Sequence, residues 1–251
     1  MEVHHHTHPS PSSGHRKKWT HYFWEFLMLF LAVSCGFFAE YQLEHKIEKD
    51  RERQFVKSLL ADLKKDQAAI QLNIDNNNSR IELLDSLLTI ITHPESLRSN
   101  GNNTYYFARV GPRIFQLTTN NKTFDQLKNS GGFRLIRTEI ANRIMEYYNS
   151  VPHILTLETL YFNEFAQYKN IAAKLFEPSV FRAMENSDGS INREANNPAL
   201  RTGNTELLKE FGISIVYMNG TIRSIVPAEN ELLLNGQQLI GYLKEKYGIR
   251  E

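Results

Sequence analysis

The feature that most constrains this chain is an apolar run near its amino terminus. Fourteen uncharged residues, 26–39, lie between Glu25 and Glu40. Counted outward to residues 20–42, the segment has 23 residues, which as a helix would measure about 34 Å and cross a hydrocarbon core of about 30 Å. Aromatic residues cluster at both of its ends, as they do at the two interfaces of a spanning helix. We therefore predict a transmembrane helix over residues 20–42.

Three alternatives compete with an uncleaved anchor. A soluble core helix would need an amphipathic stripe, but this run is apolar around almost its whole circumference. A cleavable signal peptide needs small residues at the cleavage site, where Phe37 and Phe38 are bulky. A lipoprotein signal has some support, because residues 32–35 loosely match a lipobox that ends at Cys35. Since the apolar run continues past this cysteine, we favour the uncleaved anchor.

Basic residues lie on both sides of the predicted span, so their number does not determine its orientation. They are Arg16, Lys17 and Lys18 before the span, and Lys46, Lys49, Arg51 and Arg53 after it. Long trailing domains cross the membrane largely regardless of charge, whereas a short basic amino terminus usually stays inside. We therefore expect a single-pass protein of the inner (cytoplasmic) membrane, with the lipid bilayer as a partner, residues 1–19 in the cytoplasm and the carboxy-terminal domain in the periplasm.

Composition excludes several classes of function for the remainder. Lys and Arg total 29 against 28 Asp and Glu, so no global positive field attracts nucleic acid, and we expect no nucleic-acid partner. The single cysteine, Cys35, lies inside the apolar run, which rules out an intrachain disulfide. A mean hydropathy of −0.44 is that of a soluble protein. One membrane anchor and one water-soluble domain account for an apolar run in a chain whose mean hydropathy is low.

An apolar series at alternating steps of four and three follows the anchor and predicts a long stalk helix over residues 43–92. Its apolar members are Val56, Leu60, Leu63, Ile70, Ile74, Ile81, Leu84, Leu88 and Ile91. Such a seam either pairs with a second copy, giving a homo-oligomer, or packs against later helices of the same chain. Gln67 and Asn77 interrupt it, and the polar run 75–79 is also typical of a bend. His93 and Pro94 end the helix.

Residues 93–251 are predicted to form a helical extracytoplasmic domain. We expect a loop at 99–103, a short helix capped by Thr123 and stopped by the Gly131–Gly132 pair, and a helix capped by Thr138. Apolar and aromatic residues at helical spacing predict a further helix beyond Pro152, up to about residue 176. The Asn- and Ser-rich segment 186–204 reads as a long loop.

The carboxy-terminal segment supports two interpretations. Residues 213–226 resemble a β-hairpin around the Asn219–Gly220 turn. One helical phase also runs through the apolar residues from Leu208 to Tyr247, with Pro227 as a kink. A pattern kept over more than five turns outweighs one turn dipeptide, so we favour the helix and an all-α fold, in which an anchor continues into a stalk and a helical bundle.

Several stretches resemble a known but uncharacterised family. They are the MEVHHH start at residues 1–6, the EFLMLFLAVSCGFFAE anchor with Gln42 and His45 after it, the FVKSLL step at 55–60 and FDQLKNSGGFRLI at 124–136. Together they resemble a single-pass inner-membrane family of Bacteroidota, a domain of unknown function, most strongly over residues 1–66 and 121–148. The resemblance implies a mostly helical extracytoplasmic domain. It carries no functional residues over, because that family has no agreed activity.

Candidate sites are few. His4, His5, His6 and His8 are close enough to bind a metal ion, although a histidine-rich terminus also binds metals adventitiously. Glu25 is an ionisable group near a membrane interface, where it either couples to a partner or reaches the headgroups. Acid pairs such as Glu158 and Glu164 we attribute to an exposed helix.

No known catalytic motif occurs in the sequence. We therefore predict no catalytic, cofactor-binding or metal-binding residues, and no enzyme. The expected function is a membrane-anchored interaction or scaffold protein with an unknown protein partner. The alternative is an extracytoplasmic ligand sensor that signals through a partner.

Overall fold

The computed structural model describes residues 19–113 and 115–249, and within these ranges the chain is helical and contains no strand. The α-helices are α1 (Trp19–Thr92), α2 (Pro94–Ser99), α3 (Gly101–Val110), α4 (Lys122–Asn129), α5 (Thr138–Leu175), α6 (Pro178–Ala183) and α7 (Thr205–Tyr247). One 3₁₀ turn, Gly132–Leu135, follows α4. The all-α prediction is confirmed.

Helix α1 is unbroken over 74 residues and belongs to two compact units. The first unit, up to Arg51, contains the apolar run. One 18-residue window there has a mean hydropathy of 1.7 and none of its residues are buried. Leu29 and Phe37, for example, are 67% and 69% exposed. A soluble core helix would be covered, so that alternative is wrong, and α1 could instead cross a membrane by its length and composition.

The second unit begins at Glu52 and contains a bundle of three long helices: the remainder of α1, α5 and α7. Asp66 contacts Tyr147 and Asn73 contacts Glu229, so α1 packs against both other helices. Tyr247 near the end of α7 contacts Glu52. Helix α7 is therefore antiparallel to α1. Residues 52–92 of α1 are therefore part of this bundle, and the stalk boundaries of 43 and 92 stay a prediction.

The predicted seam of α1 is packed inside the chain. Of its nine apolar members, Ile81 and Leu88 are partly buried and the other seven are at most 7% exposed. They belong to two apolar clusters formed with α5 and α7. Of the two interpretations of the seam, packing against later helices is therefore the one observed. A homo-oligomer through these residues would have to open this core.

One predicted interruption, at Pro152, is absent. Helix α5 continues through Pro152, so the two predicted helices are one, and α7 continues through Pro227. Both prolines lie on exposed positions while apolar residues before and after them stay buried. The alternative hairpin at 213–226 is wrong, because Ile215, Met218 and Ile222 hold a single helical phase that faces the core. The polar run 75–79 likewise leaves α1 unbroken.

The connecting segments agree with the sequence in part. The end of α1 at Thr92 and the loop before α7 are confirmed. Residues 101–103 are not a loop, because α3 starts at Gly101, where the chain passes very close to the backbone of Pro198. Helix α4 ends as expected, with Gly131 in the left-handed conformation at φ 68°.

Candidate functional site

A pair of aspartates on α1 holds the start of α4. Asp62 Oδ2 accepts hydrogen bonds from the backbone nitrogen of Thr123 at 3.1 Å and from its hydroxyl at 2.5 Å, and Asp62 Oδ1 accepts one from the Asn120 side chain at 2.8 Å. One turn further along α1, Asp66 Oδ1 accepts a 2.6 Å bond from the backbone nitrogen of Asn120. Side chains of α1 therefore cap the first turn of α4. The role of this cluster is structural.

A buried polar layer crosses the centre of the bundle. The Glu229 carboxylate on α7 is fully buried and accepts hydrogen bonds from the amides of Asn73 at 2.6 Å and Asn77 at 3.0 Å. Arg80 donates to Asn77 Oδ1 at 2.7 Å, and its guanidinium lies 5.5 Å from the ring centroid of Phe115. Burial raises the pKa of Glu229 and the neighbouring amides and Arg80 oppose it. This layer fixes how α1 and α7 align.

Glu158 on α5 is a second buried acid. Its side chain is 1% exposed, and Oε1 accepts a 2.7 Å hydrogen bond from the backbone nitrogen of Leu117. Burial raises its pKa to about 7, the Leu117 bond acts in the opposite direction and the charge of Glu229 adds to the rise. The interpretation of Glu158 and Glu164 as an exposed pair is wrong, because both lie at or near the core. Position 158 belongs to the same helical face as Ile154 and Tyr161.

The other sequence candidates do not converge. His4, His5, His6 and His8 lie outside the described residues. Glu25 is an exposed position of α1. Among residues 19–113 and 115–249, no three His, Cys, Asp or Glu side chains come together in a way that could hold a metal ion.

A concave surface of about 1320 Å³ lies among the described residues, and we call it the α1–α7 groove. It lies between the end of α1, α2, the loop at 197–203 and the start of α7. Its lining residues are Leu88, Thr89, Ile91, Thr92, His93, Pro94, Leu97, Arg98, Asn197, Ala199, Leu200, Thr202, Gly203, Thr205, Leu208, Lys209, Gly212, Ile213 and Val216. Most of this surface is apolar, which is typical of binding sites for organic ligands.

Several neutral polar groups in the groove have partners within the chain. The hydroxyls of Thr89 and Thr92 donate to backbone carbonyls of α1. The Asn197 amide donates to the Arg98 carbonyl and accepts from the backbone nitrogen of Asn102. The other lining residues are mostly apolar, and the basic ones are His93, Arg98 and Lys209.

Ile213 and Val216 mark the open side of the groove. They are 58% and 48% exposed, although both are large apolar residues on a helix whose opposite face is buried. The neighbouring Tyr217 is 66% exposed. Uncovered apolar residues that cluster next to a concavity mark interaction or ligand sites more often than scattered ones do. No family model, curated protein or solved structure matches this chain.

Sequence reasoning missed both the groove and the polar layer, although one signal was present for the layer. The apolar series of α7 passes from Ile225 to Leu232 and leaves Glu229 in the gap, while the series of α1 is interrupted at Asn77. These two interruptions meet in the bundle. The groove had no comparable signal, because it depends on where the loop at 197–203 passes.

Proposed function

We propose that this chain is a single-pass, membrane-anchored sensor that binds a ligand in the α1–α7 groove and signals through a partner protein. The groove is the observation that carries this proposal. It is apolar, large enough for an organic molecule and lined by side chains of α1 and α7 together. A ligand between two helices acts on both of them.

Helix α1 gives the ligand a route to the anchor. Leu88, Thr89 and Thr92 line the groove, and the same uninterrupted helix carries the apolar residues 26–39. The contacts of Asp85 with Asn219 at 2.6 Å and with Arg223 at 2.7 Å join α1 to α7 close to the groove. A ligand that changes the separation of α1 and α7 would act first on these polar contacts. The proposed topology is a cytoplasmic amino terminus and a periplasmic bundle.

A scaffold protein is the second candidate, and the exposed apolar residues Ile213, Val216 and Tyr217 favour it. In that case the surface around the groove would bind a protein and not a small molecule. Homo-oligomerisation and the lack of enzymatic activity stay predictions in both cases.

Cysteine accessibility in native membranes tests the proposal and does not require the ligand to be identified. Cys35→Ser removes the natural thiol, and single cysteines are then introduced as Ile213→Cys in the groove and Leu234→Cys elsewhere on α7, where the native residue is 52% exposed. We expect a membrane-impermeant maleimide to label Leu234→Cys equally fast in spheroplasts and in purified, lipid-exchanged protein. Ile213→Cys should react several-fold more slowly in spheroplasts, because the groove is occupied there. Equal rates for Ile213→Cys in both preparations would contradict an occupied groove, and no labelling of either variant in spheroplasts would contradict the topology.

A further inference from the structure

We infer that the ligand of the α1–α7 groove is a long-chain carboxylate, that is, a free fatty acid. This inference rests on the proposed function, because it names the ligand of the same groove. It is drawn from the charge of the rim, the chemistry of the wall and the shape of the floor.

Basic side chains lie at the rim of the groove. Among the described residues that line it, the ionisable ones are His93, Arg98 and Lys209, and none is an acid. Arg98 and Lys209 lie on α2 and α7, respectively, so they approach the groove from different elements. A guanidinium fits the two oxygens of a carboxylate in a bidentate manner. Each of these two cations can therefore bind a carboxylate head.

Both rim cations have acidic partners that a ligand can replace. Arg98 Nη1 lies 3.2 Å from Glu95 Oε1 and Lys209 Nζ lies 2.8 Å from Glu206 Oε1. All four side chains are at least two-thirds exposed. Exposed ion pairs of this kind contribute little, because water screens them. Neither pair prevents the cation from turning toward a carboxylate in the groove.

The floor of the groove is apolar and has no side chain at position 212. Gly212 lies at the floor, and a Cβ built there would be 3.6 Å from Leu88 Cδ1 and 3.7 Å from Ile91 Cδ1. A side chain at position 212 would therefore contact the wall formed by Leu88 and Ile91. A polymethylene chain can lie along this apolar floor, and each methylene that becomes buried adds about fourfold in affinity.

A pair of photoreactive lipids tests this inference on the full chain in its native membranes. One probe is a fatty acid with a diazirine in its alkyl chain, and the other has the same chain and a primary ammonium head. After irradiation, mass spectrometry maps the labelled peptides. Both probes should label the apolar residues 26–39, and only the carboxylate should label the groove segments 88–98 and 205–216 strongly. We expect a preference of at least fivefold for the carboxylate there.

Two sets of variants distinguish specific labelling of the groove from general labelling of the chain by membrane lipids. Gly212→Leu fills the floor, and we expect it to reduce groove labelling at least fivefold. Gly220→Leu, two turns further along α7, has no neighbouring atom within 4 Å of its Cβ and does not line the groove, so labelling should stay unchanged. The double change Arg98→Glu and Lys209→Glu affects two exposed side chains and should reverse the preference toward the ammonium probe. This second set keeps the test valid even where Gly212→Leu perturbs folding.

Several outcomes would overturn the inference. They are an unlabelled groove beside a labelled anchor, equal labelling by both head groups, and labelling that excess phosphatidylglycerol removes while excess palmitate does not. If the cysteine experiment still finds the groove shielded, the sensor proposal survives with another ligand. An anchor that neither probe labels would instead contradict the membrane assignment on which the proposed function depends.

Discussion

Asp62 on α1 and Thr123 on α4 form two hydrogen bonds through a single carboxylate oxygen, although 61 residues separate them in the chain. The carboxylate caps the first turn of α4 in place of a local side chain. The sequence predicts that Thr123 caps this helix itself, but its hydroxyl donates to Asp62. Helix α4 therefore owes its position to a residue of α1.

The first prediction concerns this carboxylate. Asp62→Ala leaves the backbone nitrogen and the hydroxyl of Thr123 buried without an acceptor, so we expect a loss of about 3 kcal/mol in the free energy of unfolding. Denaturant unfolding followed by circular dichroism measures it. Asp75→Ala is the control, because Asp75 lies on an exposed face of the same helix and should change stability by less than about 0.5 kcal/mol. Equal effects of the two substitutions would contradict the capping role.

The second prediction concerns pH. Burial raises the pKa of Glu158 from 4.5 to about 7, so the folded state binds this proton more tightly than the unfolded state does. The resulting stabilisation is complete below the unfolded pKa and is lost as the pH rises to about 7, which amounts to roughly 3 kcal/mol. Glu158→Gln should flatten this decline in thermal melts between about pH 5 and pH 7.5. The exposed Glu146→Gln on the same helix should leave the decline unchanged. An unaltered slope in Glu158→Gln would contradict the assignment.

The third prediction concerns the polar layer. Glu229→Ala removes the acceptor for the amides of both Asn73 and Asn77 inside the bundle, so we expect a loss of about 3–5 kcal/mol. Glu229→Gln keeps one carbonyl acceptor and should cost less. Glu231→Ala is the control in the same unfolding experiment, because Glu231 is an exposed residue of the same helix. A cost for Glu229→Ala no larger than this baseline would show that the layer does not hold the helices together.

The fourth prediction concerns the start of α3. A Cβ on Gly101 would lie 2.0 Å from the carbonyl oxygen of Pro198, so Gly101→Ala has to displace the loop backbone. We expect a drop in melting temperature of several degrees, since 1 kcal/mol shifts it by about 2–4 °C in a chain of this size. Gly241→Ala on α7 meets no atom within 4 Å and should raise the melting temperature slightly, because alanine favours helix. A neutral Gly101→Ala would contradict the close approach.

The sequence predicts the helices well because burial leaves a periodic record. Leu63 and Ile70 on α1, and Ile215 and Ile222 on α7, fall on the predicted faces and are at most 1% exposed. What periodicity does not determine is the partner of each face. The α1 seam fits a second copy as well as it fits α5 and α7, and only the three-dimensional structure distinguishes them.

The candidate sites depend on contacts between residues that are far apart in the chain. Glu158 reads as an ordinary exposed acid until Leu117 is placed 2.7 Å away, 41 residues earlier. Gly212 becomes the floor of a groove only because Leu88 lies opposite, on another helix. Such contacts have no local sequence signal, which is why neither the buried acids nor the groove could be predicted.

One continuous helix, α1, carries both the proposed membrane-crossing segment and the first long helix of the bundle. The most direct test is alkaline carbonate extraction of native membranes, followed by intact-mass analysis of the chain in the pellet and in the supernatant. We predict that the chain sediments with the membranes and retains residues 26–39. A chain released into the supernatant without detergent, or a mature chain that begins at or after Cys35, would contradict the account.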